Sequence, residues 1–281
     1  MHLLLLAACG SSPVTDSGSP TTGQTAGILT ALTYNVHGLP DPLSSTERPG
    51  AERMERIAPL LEAHDLVGLQ EDFDAANHAL LSATEHPISQ WFEDPVDEDR
   101  AYGAGLALLS RVGVESNYFE EHYDDCAGIL DGASDCLASK GFQVLRLTLG
   151  GAEVDVYNTH HEAGGGDEDD AARTAQVSQV LASMDGRSAG RAIVFMGDTN
   201  LHWSDPEDVV ELERYQAAGL RCACDEVGCG DDHIDRIFLR DSDELALSTL
   251  GWWVDETFVD EDGVGLSDHP AVAAELSWEL R

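Results

Sequence analysis

From residue 28 onward, short apolar runs alternate with polar turns, and two longer stretches carry their apolar residues at helical spacing. The first run, residues 28–36, ends at Gly38-Leu39-Pro40, where glycine and proline mark a turn. Residues 66–69, 106–109, 144–149, 154–157, 193–196, 234–239 and 271–276 are predicted strands of the same kind. Within residues 52–63, Met54, Ile57, Ala58, Leu60 and Leu61 recur near the helical period, and residues 171–184 pattern as an amphipathic helix. No internal repeat and no apolar stretch of membrane-spanning length interrupts this alternation. Strands bounded by polar loops, with a few helices between them, predict two packed sheets covered by helices.

The first 27 residues break the pattern. Residues 3–6 are all leucine, a run too short to span a bilayer, and Ala7, Ala8 and Cys9 follow. Leu6-Ala7-Ala8-Cys9 resembles a bacterial lipobox, which implies that a signal segment is cleaved and Cys9 acylated. Residues 10–27 are rich in Ser, Thr, Gly and Pro, offer almost nothing to a core, and read as a flexible tether. The expected organisation is a signal at 1–9, a tether at 10–27 and one domain at 28–281, exported, membrane-anchored and monomeric. Composition adds one constraint. Fifty-three acidic residues against 15 basic ones give a net charge of -38, and Lys140 is the only lysine. Such a surface repels polyphosphate, so duplex nucleic acid is a disfavoured partner. Its plain use is hydration in a salty or extracellular setting.

The polar residues that end the strands carry the candidate chemistry. Asn35 closes the first in Thr33-Tyr34-Asn35-Val36-His37-Gly38, Glu71 follows the second in Gly68-Leu69-Gln70-Glu71, and His160 ends Tyr157-Asn158-Thr159-His160. Asp198 and Asn200 lie in Gly197-Asp198-Thr199-Asn200, and Asp235 in His233-Ile234-Asp235-Arg236. Asp268 and His269 lie in Leu266-Ser267-Asp268-His269-Pro270. Any one of them fits a turn or cap, since Asn and Asp commonly close strands. As a set they gather polar groups at one edge of the sheets, a usual way to assemble a site.

In this order the six motifs resemble the endonuclease/exonuclease/phosphatase superfamily, also called deoxyribonuclease-I-like, over nearly all of residues 33–272. The resemblance implies an α/β (α+β) fold, a four-layer α/β/β/α sandwich of two packed mixed sheets. It implies that Glu71, with Asn35 and Asp268, holds Mg2+ or Mn2+, and that His269 is a general base oriented by Asp235. Asp198 and Asn200 would position water and phosphate, and His160 would stabilise phosphoryl oxygens or help protonate the leaving group. Each role suits its residue, because hard cations take oxygen ligands and imidazole titrates near neutrality. His161 follows His160, but alternation from Val154 puts Val156, Asn158 and His160 on one face and selects His160. His37, His202 and His233 read as hydrogen-bonded scaffolding near the site.

The superfamily includes nucleases, inositol-phosphate phosphatases and sphingomyelinases. The run Asp135-Cys136-Leu137-Ala138-Ser139-Lys140-Gly141-Phe142, followed by Asn158-Thr159-His160, resembles bacterial sphingomyelinases. Gln70-Glu71 and Asp235-Arg236 read more like the nuclease branch. The expected function is a metal-dependent phosphodiesterase acting on a sphingomyelin-like phospholipid. Alternatives are a secreted Mg-dependent nuclease, an inositol-phosphate phosphatase or, outside enzymes, a degenerate surface binding module. Export favours disulfides, and Cys126 with Cys136 is the expected pair. Cys222, Cys224 and Cys229 leave one pair and one thiol or, with His233, a zinc site. Trp252 and Trp253 are expected in a strand with both rings in the core, the alternative being a membrane-inserting tip.

Overall fold

A computed structural model describes residues 23–40, 48–95, 100–128, 135–230 and 232–281. Cys9, the expected lipidation site, lies outside the described residues, as does most of the tether. The first half of the chain forms β1 (Ala26–Asn35), α1 (Gly50–Leu61), β2 (Leu66–Gln70), α2 (Ala75–Leu81), β3 (Ile88–Phe92), β4 (Leu106–Ser110) and β5 (Val114–His122). Next come β6 (Gly141–Leu149), β7 (Ala152–His160), α3 (Asp167–Gly186), β8 (Ala192–Asp198) and α4 (Pro206–Ala217). Last are β9 (Arg221–Cys222), α5 (Ala223–Val227), β10 (Asp235–Arg240), β11 (Leu245–Val254) and β12 (Val272–Leu280).

Two six-stranded sheets result, ordered β11-β12-β1-β2-β4-β3 and β5-β6-β7-β8-β10-β9. Each is mixed, with one parallel pair, β1 with β2 and β7 with β8, joined across the outer face by α1 and α3. Between the sheets lie Leu29, Leu147, Val154, Val194, Leu276 and Trp278. Outside the first sheet, Met54, Ile57 and Leu61 of α1 pack on Leu32, Tyr34 and Val67. Outside the second, Val177, Val180 and Met184 of α3 and Tyr215 of α4 pack on Tyr157 and Phe195. Successive strand residues face opposite sides, so central strands are apolar on both faces, as the continuous runs in the sequence require. The four-layer α/β/β/α sandwich is thus the observed architecture.

Three expectations change. The tether ends sooner than residue 27, because β1 already pairs at Ala26 and Gly27 with Glu279 and Trp278 of β12. Of the two tryptophans, Trp252 packs on the core, while Trp253, on the opposite face of β11, is 36% exposed. β11 is an edge strand with alternating faces, so only one of the two rings turns toward the core, where it is partly buried. The zinc alternative falls, because Cys224 is bonded to Cys229 and His233 lies against Trp252, ring centroids 4.9 Å apart. Cys126 pairs with Cys136 as expected, and Cys222 is the leftover buried thiol.

Near the site the sheets are joined by polar side chains. Gln70 Nε2 donates to Asn158 Oδ1 at 2.7 Å, and Asn158 Nδ2 lies 2.9 Å from Leu69 O, 3.1 Å from Ala107 O and 3.1 Å from Gln143 Oε1. Gly68 makes room, since a Cβ there would stand 2.7 Å from Met196 Sδ and 2.9 Å from Asn158 Oδ1. Asn158→Leu is expected to lower the unfolding free energy by about 3 kcal/mol or more, since several buried groups lose partners at roughly 1–3 kcal/mol each. Urea denaturation measures it, and parental stability would mean the bridge contributes nothing.

Candidate active site

The site residues are set side by side by strand register. In the second sheet His160 of β7 pairs with Asp198 of β8, and Asp198 with Asp235 of β10, so three polar side chains line up across three neighbouring strands. In the first sheet Asn35 of β1 pairs with Gln70 of β2, and Glu71 is the next residue. The loop before β12 brings Asp268 and His269 over the same end. His37, Glu71 and Asn200 are the described non-glycine residues with positive φ, at 49°, 59° and 48°. Left-handed backbone is costly for such residues and persists where the surroundings hold it, and all three belong to this cluster. Ser267 Oγ donates to Asn35 O at 2.7 Å and ties the loop to β1.

Glu71 and Asp198 approach each other across Asn35, whose Nδ2 donates to Glu71 Oε1 at 3.0 Å and Asp198 Oδ2 at 3.1 Å. Asn35 Oδ1, the oxygen expected to face a metal, instead accepts from His37 N at 3.0 Å. Glu71 and Asp268 are bridged by His37, whose Nδ1 lies 3.1 Å from Asp268 Oδ2 and 4.0 Å from Glu71 Oε2. Asn200 turns its amide onto His161 O at 3.1 Å. His269 Nδ1 lies 2.9 Å from Asp235 Oδ2, and its Nε2 lies 3.7 Å from Asp198 Oδ2. His160 Nε2 is 3.5 Å from Asp198 Oδ2 and 3.1 Å from Lys140 Nζ. His161 is fully buried against Tyr215, its Nε2 3.2 Å from the phenol oxygen, whereas His160 lies beside Asp198.

The electrostatics follow from crowding carboxylates in a partly dry place. Burial raises the Glu71 pKa against the Asn35 hydrogen bond and the charges of Lys140 and His37. Burial also raises Asp235, helped by the Asp198 carboxylate directly across the ladder. Burial alone would lower His269, but the hydrogen bond to Asp235 and the charges of Asp235, Asp198 and Asp268 raise it to about 10. The hydrogen bond from His37 holds Asp268 down to about 2, and the same bond raises His37. His160 is pushed well below its ordinary value by burial and then by the Lys140 charge.

These groups fit a hard divalent cation. The donor set is rich in carboxylate oxygen, which such ions prefer. Among the described residues, Asp198, Asp235 and His269 have ligand atoms all within 4.8 Å of one another. His269 can accept a proton at neutral pH only when the negative field around it is offset, and a cation does that. Two members of the cluster were not among the expected site residues. Lys140 stood out in the sequence as the sole lysine, while His37 had no signal beyond lying two residues after Asn35.

A family model described as the Endonuclease/Exonuclease/phosphatase family matches residues 32–269. A protein of Mycobacterium tuberculosis named sphingomyelinase is 31% identical over 276 residues, covering 91% of this chain and 54% of that protein. The chain therefore spans about half the length of the curated relatives it matches. Among solved structures, sphingomyelinase C from Streptomyces griseocarneus is similar with a TM-score of 0.65 and 22% identity, over 89% of this chain and 99% of that one. A Staphylococcus aureus beta toxin mutant with bound magnesium ions gives a TM-score of 0.65 and 18% identity, over 88% and 98%.

Asp235→Asn removes the charge that most favours protonated His269. In chelator-treated protein, NMR titration of the His269 ring should show a midpoint well above neutrality that falls toward the ordinary value of about 6.5 in the variant. An unchanged midpoint would show that Asp235 does not set it.

Proposed function

The chain belongs to the endonuclease/exonuclease/phosphatase family, and from that premise we propose that it is an exported, metal-dependent phosphodiesterase acting on sphingomyelin-like phospholipids. The observation that carries the chemistry is the convergence of His269, Asp235 and Asp198 beside Glu71, from four separate elements of the fold. Glu71 and Asp268, with Asn35 beside them, would hold Mg2+ or Mn2+. When bound, the ion polarises a phosphoryl oxygen and stabilises charge in the transition state. His269 Nε2 takes the proton from the attacking water, and Asp235 at Nδ1 fixes the ring and stabilises the imidazolium that forms. Asp198 and Asn200 orient water and phosphate. His160, with Lys140 beside it, would face the phosphoryl oxygens, and the leaving oxygen would take its proton from solvent water.

The lipid reading is supported by the 31% identity to a protein named sphingomyelinase and by the charge of -38. Duplex DNA carries about one negative charge per 1.7 Å and is repelled by such a surface, whereas a zwitterionic phosphocholine headgroup is not. The nuclease reading keeps two specific supports, the Gln70-Glu71 and Asp235-Arg236 pairs.

Assays with Mg2+ on sphingomyelin, phosphatidylcholine, plasmid DNA, RNA and inositol phosphates test the proposal. Phosphocholine release should outpace plasmid nicking at moderate ionic strength. Excess chelator should abolish activity, and His269→Ala should reduce kcat by about 100-fold or more. Full activity in chelator would sink the metal mechanism, and plasmid nicking without phosphocholine release would promote the nuclease.

Membrane attachment through acylated Cys9 completes the proposal, supported by the lipobox-like Leu6-Ala7-Ala8-Cys9 and the tether. Mass spectrometry of the native membrane fraction should find a lipid-modified Cys9 at the mature N-terminus. An unmodified soluble protein beginning at Met1 would rule it out.

A further inference from the structure

Arg53 of α1 is buried, 2% exposed, and its guanidinium binds the two chain segments on which the site is hung. Its Nη1 donates to Val36 O at 2.8 Å and to Leu266 O at 2.8 Å, and its Nη2 donates to His37 O at 2.6 Å. Val36 and His37 directly follow Asn35, while Leu266 directly precedes Ser267-Asp268-His269. One planar fork thus spans the end of β1 and the loop before β12. The link extends to β2. Gly38 N donates to Glu71 O at 3.0 Å, and a Cβ on Gly38 would stand 2.3 Å from that oxygen, so the turn at His37 and Gly38 sits tightly on the Glu71 peptide.

We propose that Arg53 is a positioning residue that sets the separation between Glu71 and Asn35 on one side and Asp268 and His269 on the other. It thereby sets the affinity of the cation pocket. The inference rests on the metal reading proposed above. A backbone brace of this kind acts on ligand geometry, and supports one step removed from the ligands commonly govern metal affinity by about 10–100-fold. The left-handed backbone at His37 needs such a brace, since His37 O is one of the three carbonyls that Arg53 holds.

Mn2+ binding to the whole protein, followed by electron paramagnetic resonance and calorimetry, tests this directly with Arg53→Lys and Arg53→Met. Arg173 is a matched control, because it is equally buried but braces Glu162 O, Gly164 O and Asp208. Arg53→Met should weaken Mn2+ binding by about 10-fold or more and lower kcat with little change in KM, with Arg53→Lys between it and the parent. Arg173→Lys, at a comparable loss of Tm, should leave Mn2+ binding unchanged. Arg53 variants that lose Tm but bind Mn2+ like the parent would overturn the inference and leave the metal reading intact. A parent protein that binds no Mn2+ would remove the metal reading and this inference with it. Should Arg53→Met fail to fold, Arg53→Lys alone decides.

Discussion

The bridge from Gln70 to Asn158 is the constraint on which the site depends. Two sheets packed through apolar side chains alone would hold by a non-directional force, and small slips would cost little. The groups that must meet come from both sheets, with Asn35 and Glu71 on one and His160, Asp198 and Asp235 on the other. Buried amides have fixed partners and geometry, so any slip strands donors and acceptors where no water can replace them. Asn158 lies two residues before His160, and Gln70 directly precedes Glu71. The fixed point between the sheets is therefore within two residues of chemistry on both sides. Gly68 keeps the sheets close enough for these short side chains to meet.

That fixed frame makes tolerable what would otherwise come apart. Asp198 and Asp235 sit directly opposite each other in an antiparallel ladder, an arrangement that repels. His269 lies between their charges and is drawn to protonate, while Asn35 donates to both Glu71 and Asp198. The cluster is thus held by groups that share or neutralise negative charge. Left-handed backbone at His37, Glu71 and Asn200 adds strain at the same place. Unfavourable charge and unfavourable backbone coincide beside the bridge from Gln70 to Asn158.

The same geometry explains what was legible in the sequence. The eight strands predicted from apolar runs are the interior ones, β12, β1, β2 and β4 in one sheet and β6, β7, β8 and β10 in the other. The four edges, β11, β3, β5 and β9, were missed, apart from the Trp252-Trp253 end of β11. An interior strand is apolar on both faces and announces itself. An edge such as β5, reading Val-Glu-Ser-Asn-Tyr-Phe-Glu-Glu-His and largely exposed, is polar because it must not recruit another strand. Helices α2 and α5 are too short, seven and five residues, to show a period, and α4 carries acidic residues through an otherwise apolar stripe. The site residues end interior strands or adjoin them, so they were found. The contacts of His37 and Arg53 were not, since both arise from packing between segments distant in sequence.

Where the cations lie bears on what can approach. Of 15 basic residues, Arg53, Arg173, Arg236 and Lys140 are buried at 2%, 2%, 3% and 5% exposure. Several of the remaining arginines are occupied by carboxylates, as Arg48 is by Asp260 and Arg221 by Asp241 and Glu226. Buried carboxylates outnumber these cations, among them Asp72, Asp155, Glu162, Asp198 and Asp235, so the interior does not offset the acidity of the outer surface, and Lys140 stands next to His160 within the carboxylate cluster. Screening limits the outer field to about 8 Å at physiological salt, so it acts on extended polyanions with many charges near the surface at once. A single phosphodiester balanced by its own cation meets little of that field until it reaches the interior charges. That repelling shell, rather than any one side chain, is what favours a small zwitterionic headgroup over a polymer in the proposed function.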